Sequence, residues 1–148
     1  MINKSDILTD SFGRRHTYLR ISLTERCNLR CLYCMPKEGV ELTPKKYLMQ
    51  SNEIIYLAKL FVKYGVNKIR LTGGEPLIRK DLIKFITYAK EAGILDIYMS
   101  TNGSLLTEKV SRQLVNSGLT RLQVSLDAST KETFQDDSFE RSTRPENN

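Results

Sequence analysis

Three glycines, Gly65, Gly93 and Gly118, each stand where a segment with apolar residues at helical spacing ends, and each is followed at once by a short apolar run. They recur at intervals of 28 and 25 residues, the length of a strand plus a helix that returns to start the next strand. A chain punctuated in this way is expected to build β/α units around a parallel sheet. Strands are predicted at residues 17–23, 66–71, 94–99 and 119–126. The first helix is expected to be capped by Ser51 or Asn52 and to bury Ile54, Leu57, Ala58 and Phe61. The second is capped by Asp81 and buries Leu82, Phe85, Ile86 and Ala89, and the third spans residues 107–117 with Val110 and Leu114 inward. Right-handed crossovers put successive helices on one side of the sheet, so such units curl into a barrel or part of one.

In a sheet of this kind ligands sit beyond the carboxyl ends of the strands, and the unusual residues of this chain fall there. All three cysteines, Cys27, Cys31 and Cys34, follow the first strand with the spacing C-x3-C-x2-C. A loop of that length can turn three thiolates toward one point, and three protein ligands leave one position open for chemistry. Two inert readings compete. A disulfide framework fits poorly with an odd cysteine count and such close spacing. Structural zinc would need a fourth ligand, for which the single histidine, His16, is the candidate. Gly73-Gly74-Glu75-Pro76 follows the second strand, Ser100-Thr101-Asn102-Gly103 the third, and Ser125-Leu126-Asp127 closes the fourth. Taken singly, each is a turn or a cap. Arg20 and Arg70 sit within apolar strands, where a charge is disfavoured unless it faces outward.

Composition narrows the function classes. With 148 residues, 40% hydrophobic and 27% charged, the chain suits one soluble domain. A net charge of +6 is compatible with a nucleic acid, a nucleotide triphosphate or an acidic protein. The basic residues are scattered, however, and no basic stripe interleaved with aromatics marks a nucleic-acid surface. No apolar run approaches the ~18–20 residues of a membrane span, and nothing at the N-terminus reads as a signal sequence. A cytoplasmic protein with neither nucleic-acid nor membrane partners is expected.

The cysteine loop and the Gly73-Gly74-Glu75-Pro76 turn resemble those of the radical S-adenosylmethionine (SAM) enzymes. Residues 11–24, Cys34-Met35-Pro36 and residues 68–79 look like the GTP-cyclising branch of that family, which opens molybdenum cofactor biosynthesis. The resemblance implies a lyase that converts GTP to (8S)-3',8-cyclo-7,8-dihydroguanosine 5'-triphosphate through a 5'-deoxyadenosyl radical that takes the 3' hydrogen. It implies a 4Fe-4S cluster on Cys27, Cys31 and Cys34, with SAM on the fourth iron. Tyr33, Gly74 and Ser125 would contact SAM, and the Gly73-Gly74-Glu75 turn would accept its methionine ammonium. Arg20, Arg70 and Thr101 match positions that bind GTP. An electron donor such as a flavodoxin or ferredoxin is implied, and a homodimer in the full-length family.

The resemblance runs from about residue 10 to residue 127, whereas members of the branch are roughly twice as long, with a six-stranded partial barrel and a second cluster. The expected fold is therefore the first four β/α units of an incomplete TIM-like radical SAM barrel. Residues 1–10 are expected to be a flexible lead-in, 11–127 the core, and 128–148 a divergent, disordered tail. A chain of this extent is expected to expose a sheet edge and to lack the complete reaction on its own. Two other readings stay open: another short-barrel radical SAM enzyme, and a non-enzymatic metal-binding fragment.

Overall fold

The computed structural model describes residues 7–31, 33–34, 41–127 and 129–130. Four strands, β1 (Tyr18–Ser22), β2 (Lys68–Thr72), β3 (Asp96–Thr101) and β4 (Arg121–Val124), form one sheet in the order β1-β2-β3-β4. All three pairings are parallel. Helices α1 (Ser51–Lys63), α2 (Leu82–Glu91) and α3 (Glu108–Ser117) fill the crossovers, with short 3-10 turns at Lys45–Tyr47 and Pro76–Ile78. Among the described residues no helix is long and apolar enough to cross a membrane.

The predicted strand starts at Val66, Ile94 and Leu119 are displaced, for one repeated reason. Gly65, Gly93 and Gly118 take left-handed φ values of 96°, 103° and 102°. The residue after each glycine then donates its N–H back into the helix, Val66 to Phe61 O, Ile94 to Ala89 O and Leu119 to Leu114 O, at 3.1, 3.2 and 3.1 Å. This is the Schellman closure with its apolar residue just past the glycine. The apolar residues that read as strand openings complete helix ends, and the strands begin two residues later.

Two caps differ as well. Gln50, not Ser51 or Asn52, precedes α1, and its N–H donates to Glu53 Oε2 at 2.7 Å, the return half of a capping box. Asp81 stands at the cap position of α2 but makes no cap bond, because its carboxylate is held by Arg79 Nε at 2.7 Å. Thr107 does cap α3, accepting from the Val110 N–H at 3.2 Å. Residues 7–10, assigned by sequence to the lead-in, carry an antiparallel bridge between Thr9 and Arg15, and Asp10 N–H donates to Arg14 O at 3.0 Å. The expected tail lies outside the described residues from 131 onward.

The core lies on one side of the sheet, where Ile69, Leu71, Ile97 and Met99 meet Ile54, Ala58, Phe85, Ile86, Ala89 and Leu114. Phe61 packs against it half-buried. Strand alternation sends Arg20, Arg70 and Tyr98 to the other side. These three are also register neighbours, Arg20 beside Arg70 and Arg70 beside Tyr98. All four residues of β4 are exposed, so the last described strand is an open edge.

Candidate active site

The loops at the carboxyl ends of all four strands border one cleft. Cys27, Cys31, Tyr33 and Cys34 line it from the loop after β1, Thr72, Gly73 and Gly74 from β2, Ser100, Thr101 and Asn102 from β3, and Ser125 and Asp127 from β4. The segment after β1 is joined to the end of β2 and its turn by backbone hydrogen bonds that extend the sheet. Leu23 N–H donates to Thr72 O at 2.8 Å, Gly74 N–H to Thr24 O at 2.6 Å and Glu75 N–H to Arg26 O at 2.8 Å. The first cysteine therefore emerges from a segment already paired to the glycine turn.

That pairing is what the two glycines permit. A Cβ on Gly73 would lie 2.3 Å from Thr24 O, and one on Gly74 would lie 2.1 Å from Arg26 O. Both neighbours are backbone and cannot turn aside. Gly73 also has a φ of 146°, a conformation that residues with a Cβ rarely adopt.

Glu75 does not face the cleft. Its side chain is fully buried, and its carboxylate accepts from Thr101 Oγ1 at 2.7 Å, Asn102 N–H at 2.8 Å and Leu77 N–H at 2.9 Å. It fastens the turn after β2 to the turn after β3. In Glu75→Gln the side-chain amide must present N–H to one of these donors, so the metal-free protein is expected to lose about 1–3 kcal/mol in urea unfolding. An unchanged unfolding midpoint would show that the latch is not under load.

Thr101 is buried beneath the cleft. Its hydroxyl donates to Glu75 and accepts from the Gly103 N–H at 3.1 Å. Tyr33, by contrast, is exposed at the rim, and its hydroxyl donates to Asp127 Oδ2 at 2.7 Å, joining the cysteine loop to the end of β4. This bond holds the phenol proton and raises the Tyr33 pKa far above its usual range. Arg20 and Arg70 do not line the cleft; they stand on the open face of the sheet. Arg70 donates to Ser100 Oγ at 2.8 Å and Gln123 Oε1 at 2.8 Å, and its guanidinium lies 4.5 Å from the centre of the Tyr98 ring.

The three cysteines are free thiols, so the disulfide reading fails among these residues. His16 fails as a zinc ligand: it precedes β1, bonds back to Leu8 O and faces Asp10 Oδ2 at 3.7 Å, at the opposite end of the strand from the thiols. Among the described residues no group of three metal-ligating side chains closes on a single ion. A cubane cluster makes no such demand, because each thiolate binds its own iron. The donor set fits one: three thiols bordering a common cleft, with Cys27 Sγ accepting from Leu29 N–H at 3.4 Å and Asn102 Nδ2 at 3.8 Å. Burial pushes the Cys31 thiol up, which disfavours a bare thiolate and is the environment a metal-bound thiolate offsets.

Sequence reasoning placed Asn102 and Asp127 at the ligand end of the sheet but gave neither a role, reading them as parts of a turn and a strand end. The Asn-Gly pair was visible, but it marks many turns that bind nothing. The Met35-Pro36 part of the quoted motif lies outside the described residues.

The sequence model of the Radical SAM superfamily matches residues 21–148. The chain is 55% identical over 132 residues to "GTP 3',8-cyclase, mitochondrial" of Arabidopsis thaliana, covering 88% of this chain and 34% of that protein. It is 52% identical over 145 residues to "Molybdenum cofactor biosynthesis protein 1" of Drosophila melanogaster, covering 97% and 25%. The chain thus spans between a quarter and about a third of the length of these relatives. Among solved structures, Streptococcus suis SuiB bound to S-adenosylmethionine superimposes with a TM-score of 0.58 at 22% identity, over 74% of this chain and 23% of that one. At that identity the likeness speaks for the fold.

Proposed function

Because the chain belongs to the radical SAM superfamily, we propose that it carries the cluster-binding and SAM-binding half of a GTP 3',8-cyclase reaction in molybdenum cofactor biosynthesis. The observation that carries this reading is the cleft itself, which the three thiols share with a glycine turn whose backbone pairing only glycine allows. When bound, the 4Fe-4S cluster and SAM together supply a one-electron cleavage whose radical product removes the 3' hydrogen of GTP.

The chain's own residues orient and shield. Cys27, Cys31 and Cys34 would hold the cluster and leave one iron open to SAM. Gly74 and Ser125 offer the cleft backbone and a small side chain, while Tyr33, tied to Asp127, borders it from the cysteine loop. Arg20 and Arg70, side by side on the open face, suit the phosphate oxygens of GTP. Thr101 serves GTP through the turn it anchors, since its hydroxyl is engaged on both sides. The reading calls for a one-electron donor such as a flavodoxin or ferredoxin, a cytoplasmic setting and, in the full-length family, a homodimer.

The test is anaerobic reconstitution with iron and sulfide, reduction, and electron paramagnetic resonance with and without SAM. A reduced 4Fe-4S signal that changes on adding SAM is expected. Labelled GTP should also bind, with an affinity at least about tenfold weaker in Arg70→Ala, the loss of one charge-assisted contact. Zinc in place of iron would favour the non-enzymatic reading. A SAM-responsive cluster without GTP binding would favour a different radical SAM substrate.

A further inference from the structure

The turn after β3 is joined to the cysteine loop by a closed ring of side-chain hydrogen bonds that no feature of the cleft requires. Asn102 Nδ2 donates to Asn28 Oδ1 at 3.0 Å and to Cys27 Sγ at 3.8 Å. Asn102 Oδ1 accepts from Ser104 N–H at 2.9 Å and Ser104 Oγ at 2.7 Å. Asn28 Nδ2 donates in turn to Ser104 Oγ at 2.8 Å. The Asn102 backbone is fixed independently, its N–H donating to the buried Glu75 carboxylate at 2.8 Å. Every polar atom of the Asn102 amide is thereby oriented, and its oxygen is held by Ser104, so the amide presents N–H rather than oxygen to the sulfur. Cys27 Sγ receives a second N–H from Leu29 at 3.4 Å.

The geometry points to Asn102 as a positioning residue that, with Ser104 behind it, holds a hydrogen-bond donor on one cluster ligand and thereby raises the cluster's reduction potential. The inference rests on the cluster reading above. Reduction adds negative charge that is shared onto the thiolate sulfurs, and a fixed donor stabilises the reduced form more than the oxidised one. Removing the donor lowers the potential. A residue that merely supported the loop would change how much cluster is held, with no systematic effect on its potential.

The test is a redox titration of the reconstituted chain, followed by electron paramagnetic resonance, for the native sequence, Asn102→Leu and Ser104→Ala. Asn102→Leu keeps approximate shape, adds no charge and leaves the backbone bond to Glu75 in place. Its reduction equilibrium should be about tenfold less favourable, which for one electron is about 59 mV. Ser104→Ala, which frees the amide without removing it, should shift the potential the same way by less. Loaded variants with the native potential, or a higher one, overturn the proposal. If neither variant holds a cluster while the native chain does, Asn102 supports the loop and the tuning role is overturned. If Asn102→Leu alone fails to load, the Ser104→Ala potential decides. A native chain that takes up no 4Fe-4S cluster overturns the cluster reading itself, and is recognised before any variant is compared.

Discussion

Serine in place of any one of Cys27, Cys31 or Cys34 is expected to reduce bound iron and sulfide from about four of each per chain to background, while the metal-free protein keeps its fold. Both halves follow from where the thiols lie. They border the cleft, and the described residues offer no replacement. Asp127, the one carboxylate among the described residues that line the cleft, is held by the Tyr33 hydroxyl at 2.7 Å, and His16 lies at the far end of β1 facing Asp10. A serine hydroxyl is a poor thiolate substitute because it stays protonated where a thiol ionises. The core, in contrast, is built on the helix side of the sheet from Ile69, Leu71, Ile97, Phe85 and Ile86 and contains no cysteine. Far-ultraviolet circular dichroism and the unfolding midpoint of the metal-free variants should therefore match the native chain. Retention of a full cluster in any single variant would mean that another residue can take the place of that thiol.

The second large effect is expected from Gly74→Ala, the smallest substitution available. The added methyl would lie 2.1 Å from Arg26 O and 2.4 Å from Arg26 C, closer than any real contact. The obstacle is backbone, so no rotamer relieves it. Residues 24–26 must withdraw, which breaks the bonds from Gly74 N–H to Thr24 O and from Glu75 N–H to Arg26 O. Two backbone hydrogen bonds and the strain of overpacking together correspond to a loss of about 3 kcal/mol. The functional loss should be greater than the loss of stability, because Cys27 follows Arg26 directly. Displacing that segment moves the first thiol away from the other two. The expected result is a lowered unfolding midpoint together with loss of the SAM-dependent change in the cluster signal. Native behaviour in both would show that the cysteine loop and the glycine turn are not held together as the structure has them.

Several parts of this molecule were legible because their causes are local. Gly65, Gly93 and Gly118 announce helix ends since the Schellman closure lies within about six residues. The same locality explains the errors at Val66, Ile94 and Leu119: an apolar residue just past a helix glycine looks the same whether it opens a strand or completes the helix, and the hydrogen bond that decides is not visible in the alphabet. Asp81 was read as a cap for a similar reason, but Arg79, two positions before it, competes successfully for the carboxylate.

The sequence by itself determined that strands and helices alternate, that the cysteine spacing gathers three thiols into one loop, and that this loop and the glycine turn follow successive strands. Each of these depends on residues near one another in the chain. Only the tertiary structure decided which way the polar residues of those loops face. Glu75 turns inward because the pairing of β2 with β3 brings Thr101 and Asn102 beneath it, 26 and 27 positions away. Asn102 reaches Cys27, 75 positions away, because β1, β2 and β3 lie in parallel order and deliver their carboxyl ends to the same rim. Side-chain direction at a strand end is set by neighbours supplied by the sheet register, and that register exists only once the chain has folded.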